Sequence, residues 1–123
     1  MKLLTVDQIL AADDRQIIDF PMPEWGDGGV YLQPMTSAAR DAFEATMIPK
    51  RGKKGKKSAE RLRNFRARLV SRCVVTKDGK PYFTRKQVDE LGEKSAAPMS
   101  RLFEKCQEIN GITKEDMEDF EGE

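Results

Sequence analysis

The sequence predicts a mainly α-helical small domain with a short N-terminal β-hairpin, α+β at the margin. Three observations carry this. Apolar residues recur at helical spacing in Leu62, Phe65, Leu69, Val70 and Cys73, and again in Met99, Leu102, Phe103, Cys106 and Ile109. Two stretches, Thr5 to Gln8 and Thr84 to Gln87, have the capping-box spacing, in which a threonine oxygen and a glutamine side chain satisfy each other's backbone N–H groups. Between them lie two strand-favouring runs, Ile17-Ile18 and Val30-Tyr31-Leu32, separated by a glycine cluster that can make the turn.

The elements follow in order. Thr5 starts a short helix to about Ala12, with Val6, Ile9 and Leu10 on one side, and Asp13-Asp14 ends it. The hairpin spans about 16–34. Pro21 and Pro23 keep its first strand short and at an edge, because proline cannot donate to a ladder. Trp25, the one tryptophan, is expected to pack under the hairpin. Thr36 caps a helix from Ser37 to about Met47, in which Ala39, Ala42, Phe43 and Met47 share a face, and Pro49 stops it. Lys50 to Lys57 carries six positive charges and two glycines, and reads as a flexible basic loop. Ser58 caps a long helix to about Val75, whose remaining positions are rich in arginine. Asp78-Gly79 is a tight turn, after which Tyr82 and Phe83 re-enter the core. Gly92 stops the helix begun at Thr84. Ser95 caps the last long helix, where Pro98 is tolerated in the first turn, and Asn110-Gly111 ends it. Residues 1–112 therefore form one domain, and 113–123 an acidic C-terminal segment, frayed helix or tail.

A chain of 123 residues with 35% charged and 38% hydrophobic residues suits one soluble domain with a modest core. Net charge is +1, but charge is segregated: the basic loop is answered by six carboxylates between Glu115 and Glu123. No run approaches the ~20 apolar residues of a membrane span, and the N-terminus lacks a signal-peptide core. With two widely spaced cysteines and no histidine, neither a zinc site nor a histidine base is available, and Cys73 and Cys106 read as buried small hydrophobes. Gly26 to Gly29 lacks the spacing and lysine of a phosphate loop. The carboxylate pairs are explained by helix ends and turns. No cofactor is expected, and the chain reads as non-enzymatic, working through its surfaces.

Three stretches together resemble a known family. They are Pro23-Glu-Trp-Gly26 with Val30 to Glu44; Arg66-Ala-Arg-Leu-Val70 with Asp78-Gly-Lys80 and Phe83-Thr84; and Leu91 to Ser95 leading to Leu102-Phe103 and Asn110-Gly111. In order and spacing they resemble the tail assembly chaperones of long-tailed, siphovirus-type bacteriophages and prophages, over about 5–112. The lysine-rich loop matches no part of that pattern. The resemblance implies a small helical, non-enzymatic protein. It would bind the long tape measure protein in the host bacterial cytoplasm, self-associate around it and recruit the major tail tube protein. A longer frameshifted form would serve that last step, and the chaperone would be absent from the mature virion.

Residues expected to meet partners are Trp25, Phe43 and Met47 as apolar contacts, and Lys50, Arg51, Lys53, Lys54, Lys56, Lys57, Arg63 and Arg66 as basic ones. The basic group is expected to meet the acidic C-terminus of a neighbouring copy, in salt-sensitive contacts. The alternative is a small nucleic-acid-binding protein acting through Lys50 to Lys57 and the following arginine-rich helix. Against it stand the near-zero net charge, the acidic tail and the lack of a base-reading motif.

Overall fold

The computed structural model describes residues 1–47 and 64–121. In chain order these form α1 (Val6–Ala11), β1 (Ile18–Pro21), a 3₁₀ turn (Pro23–Trp25), β2 (Gly29–Leu32), α2 (Ser37–Ala45), α3 (Phe65–Cys73), β3 (Val74–Val75), α4 (Arg85–Leu91), α5 (Ala96–Ile109) and α6 (Lys114–Glu121). The fold is mainly helical with a small antiparallel sheet, in the class that the periodicity predicts.

The hairpin pairs Ile18 with Leu32 and Pro21 with Gly29. Gly29 is required there: a Cβ on it would stand 2.2 Å from the Phe20 carbonyl oxygen. A third strand, not expected, continues the sheet in the order β1-β2-β3. Val74 and Val75, read as the last residues of a helix, instead pair with Leu32 and Tyr31. Both are β-branched, and Gln33 N–H extends the ladder by donating to the Cys73 carbonyl at 2.9 Å.

The start of that helix also differs from expectation. Asn64 adopts the left-handed conformation with φ 53°, so α3 begins at Phe65. The Asn64 side-chain amide donates to Asp89 Oδ1 at 2.7 Å, which ties this corner to α4. Asparagine is among the few residues that enter this region readily. The expected cap at Ser58 and the apolar position at Leu62 lie outside the described residues.

The core sits between the sheet, α2, α3 and α5. Leu32, Leu69, Val70, Cys73, Leu102 and Cys106 are fully enclosed. Across it runs a row of rings: Phe43 and Phe65 have centroids 5.7 Å apart, as do Phe65 and Phe103. Tilted and edge-on arrangements of this kind are favoured by the ring quadrupoles. Contrary to expectation, Tyr82 does not re-enter the core and is 62% exposed, while Phe83 packs half-buried against it.

Both capping boxes form. Thr5 N–H donates to Gln8 Oε1 at 2.9 Å and Thr84 N–H to Gln87 Oε1 at 2.9 Å. The Asp78-Gly79 turn closes with Gly79 at φ 81°. The acidic segment is a helix, α6, because Thr113 and Asp116 cap its start reciprocally, with bonds of 2.9 and 3.1 Å. Its Met117 rests against the core.

Two polar clasps join distant parts. The Asn110 amide accepts from Met35 N–H at 2.8 Å and donates to the Cys106 carbonyl at 2.7 Å and to Cys73 Sγ at 3.2 Å. Its own carbonyl accepts from Arg40 at 2.9 Å. Arg101 on α5 holds both Glu24 oxygens at 2.8 and 2.9 Å and the Pro21 carbonyl at 2.7 Å, with its guanidinium 4.6 Å from the Phe20 ring centroid. Truncating Asn110 to alanine would strand the Met35 N–H, and a polar group stranded away from water costs about 1–3 kcal/mol. Asn110→Ala should therefore lower the melting temperature by several degrees, measured by circular dichroism; an unchanged melt would contradict the clasp.

Candidate interaction surfaces

The arginines of α3 are arranged by the core beneath them. Arg72 lies with its guanidinium carbon 5.4 Å from the Phe43 ring centroid, and Arg66 at 5.4 Å from that of Phe103. The two cap opposite ends of the phenylalanine row. Arg68 lies lower and donates toward Thr46 Oγ1 at 3.3 Å and Met47 Sδ at 3.5 Å. Burial, and then the neighbouring charge of Arg72, hold its guanidinium below the usual arginine value. A guanidinium over an aromatic face keeps its charge available to solvent while its stem covers apolar surface.

Beside Arg68 and Arg72 a groove of about 720 Å³ runs between α2, α3 and α4. It is lined by the apolar Ala39, Pro81, Phe83 and Val88 and by the charged Arg68, Arg72, Arg85 and Asp89. A second hollow, of about 510 Å³, opens on the hairpin between Phe20, Pro23, Val30 and Tyr31.

The expected partner residues fall in different places. Trp25 is half-buried at the end of the 3₁₀ turn and packs against the core. Phe43 and Met47 are enclosed, 1% and 4% exposed, so in the single chain they are core residues. Charged substitutions there would unfold the protein before they reported on binding. Arg66 is exposed, over Phe103. Lys50, Arg51, Lys53, Lys54, Lys56, Lys57 and Arg63 lie outside the described residues. The acidic helix α6 already has a seat on its own body, where Asp116 meets Arg40 at 3.5 Å.

A further apolar surface lies at the start of the chain, where periodicity put Val6, Ile9 and Leu10 on one side of a helix. Nothing in α1 is buried. Leu3 is 93%, Val6 70% and Leu10 79% exposed, with Leu4 and Ile9 also open. The signal lay in the sequence as an apolar run at the start of the chain. What it lacked was any indication that the body offers this run no berth.

Among the described residues no group of three or more histidine, cysteine, aspartate or glutamate side chains could hold a metal ion. Cys73 and Cys106 are buried free thiols. The hydrogen bond to Cys73 and burial push the Cys106 thiol up, so it stays protonated at neutral pH. Among the described residues no helix is long and apolar enough to cross a membrane.

What these features define is a small helical scaffold that offers apolar and charged contact surfaces. The sequence matches the model of the phage tail assembly chaperone family over residues 10–122, and the chain belongs to that family. The fold is similar to that of the bacteriophage HK97 tail assembly chaperone, with a TM-score of 0.58 at 17% identity, covering 85% of this chain and 95% of that one. No curated protein sequence matches this one.

Two ion pairs, Glu24 with Arg101 and Asp116 with Arg40, hold carboxyls that should respond to acid. Glu24's carboxyl is held below the usual range, chiefly by its hydrogen bonds from Arg101. Asp116's is held down chiefly by the Thr113 N–H, then by the Thr113 side chain and Arg40. A carboxyl with a depressed folded value contributes stability in full above its unfolded value and loses it as pH falls through the folded one. Acidification below the ordinary carboxylate range should therefore loosen the hairpin loop, and the fluorescence of the adjacent Trp25 should report it. Glu24→Gln should remove that step; the same acid response in this variant would contradict the assignment.

Proposed function

We propose that this chain is the chaperone of a long-tailed phage that keeps the tape measure protein soluble before the tail tube forms. In this reading it binds the tape measure protein in the host bacterial cytoplasm, self-associates along it, and helps recruit tail tube subunits. It leaves as the tube polymerises and is absent from the finished particle. Membership of the tail assembly chaperone family supports a role among tail proteins. The observation that supports the finer reading is the exposed apolar surface of residues 1–11, beside a core whose described residues from Met22 to Ile112 are buried without it. Patches of this kind mark surfaces that another macromolecule covers. A long helical partner presents amphipathic faces, and apolar side chains at helical spacing are suited to such a face.

The charged surfaces contribute selectivity rather than bulk affinity. Arginines held over aromatic rings keep a fixed geometry, and fixed charges steer encounter and exclude wrong partners.

The direct test is co-expression with the long tape measure protein from the same tail gene cluster, pulling on a tag on this chain after nuclease treatment at low and high salt. The long protein should become soluble and co-purify. If it stays insoluble while nucleic acid co-purifies in the absence of nuclease, the chaperone reading fails and the basic segment is the functional element.

A further inference from the structure

Two thiols meet inside the core, and nothing in the proposed function uses them. Cys73 ends α3 and Cys106 lies in the last turn of α5, and these two helices pack directly on one another. Both side chains are fully enclosed, at 0% exposure, and both are free thiols. They face each other, with the Cys106 S–H donating to the Cys73 sulfur. Asn110 fixes that orientation. Its amide nitrogen donates to the Cys106 carbonyl at 2.7 Å and to Cys73 Sγ at 3.2 Å, which holds the Cys73 sulfur beside the backbone of Cys106. Disulfides form where the two side chains point toward one another, and sulfurs that share a hydrogen bond do so.

The two sulfurs are not equivalent. The hydrogen bond from Cys106, aided by that from Asn110 and by the charge of Arg72, draws the Cys73 thiol below its usual value against the effect of burial. Cys106 is pushed up and keeps its proton. Cys73 is thus the nucleophile of the pair, and Cys106 the thiol that resolves it. A way in lies at the same corner. A hollow of about 560 Å³ is lined there by Met35, Arg40, Ile109 and Asn110. Asn110 is only part-buried, and its amide is the group that touches Cys73. A small oxidant reaches the sulfur when that amide swings aside.

We infer that Cys73 and Cys106 form a redox-sensitive clamp, in which a peroxide entering at the Asn110 corner converts the facing thiols into a disulfide that ties α3 to α5. In the first step the Cys73 thiolate attacks one peroxide oxygen. The O–O bond breaks, the departing hydroxide leaves as water with the proton that Cys73 gave up, and Cys73 becomes a sulfenic acid. In the second, the Cys106 sulfur attacks the Cys73 sulfur. The S–O bond breaks as the S–S bond forms, and the hydroxide leaves as water with the Cys106 proton. The two thiols have lost two electrons and two protons, and the peroxide has become two waters. In a reducing cytosol the pair rests as the dithiol, and thiol–disulfide exchange returns it there. The bond closes the long loop between the two helices, so the oxidised chain is harder to unfold.

Non-reducing peptide mapping of the full-length protein after hydrogen peroxide treatment tests this. A peptide that links Cys73 to Cys106 within one chain should appear, and dithiothreitol should abolish it. The oxidised protein should melt several degrees higher, and dithiothreitol should reverse that shift, as it would not reverse methionine oxidation. Cys106→Ser should stop at the sulfenic acid, trapped on Cys73 by dimedone, with no reversible change in melting. If that variant folds poorly, the linked peptide and the melt of the unsubstituted chain decide the matter. Both thiols still free after a dose that converts the exposed Met1 to its sulfoxide would overturn the inference, as would a disulfide between chains. So would an oxidised chain that melts lower, because the thiols would then meet only by breaking the core.

Discussion

The structure depends on a single side-chain amide. Asn110, just beyond the last core helix, reaches Met35, which lies 75 residues earlier, and Cys73, 37 residues earlier. It therefore holds the exit of the sheet, the end of α3 and the end of α5 in one arrangement. The Met35 backbone N–H, partly buried between these elements, needs an acceptor, and no apolar side chain supplies one. The neighbouring Arg40 links the same corner to α6 through the Asn110 carbonyl and Asp116. Around this fixed corner the phenylalanine row and the leucines of α3 and α5 fill the interior.

The arginines of α3 illustrate how a charge pattern is read two ways. As a sequence, an arginine-rich helix beside a lysine-rich loop suggests a polyanion. In the fold, Arg66 and Arg72 roof the two ends of the ring row, and Arg101 does the same for Phe20 while clasping Glu24. These three arginines thus cover part of a core that a chain with 38% hydrophobic residues leaves thin. The same side chains still present charge outward, so covering the core and attracting an acidic partner are compatible.

How much of this the sequence disclosed follows from the range of the interactions involved. Caps, turns and helix stripes are local, and Thr5 with Gln8, Thr84 with Gln87, Asp78-Gly79 and the Met99 to Ile109 stripe are all where their spacing puts them. The misses are tertiary. Val74 and Val75 continue a helical apolar pattern, but a strand edge at Tyr31-Leu32 pairs with them. Asn64 reads as an ordinary helical position, but α3 begins only beyond its left-handed turn. Phe43 and Met47, candidates for a partner, are needed by the core. The acidic end, read as frayed helix or tail, is helical from Lys114, and its cap is local, between Thr113 and Asp116. Most consequential is α1: periodicity showed that it has an apolar face and could not show that the body leaves this face open.

A core clasped by polar bonds and an apolar arm left outside it make one account, in which the proposed function has the tape measure protein cover that arm. Hydrogen exchange of this chain alone and in complex with the tape measure protein tests it most directly. Residues 1–12 should be unprotected in the free chain and gain protection in the complex, while β2 and α5 stay protected throughout. An arm protected even in the free chain would mean that it docks on its own body. An arm still unprotected in the complex would mean that the tape measure protein does not cover it, and either result would contradict the account.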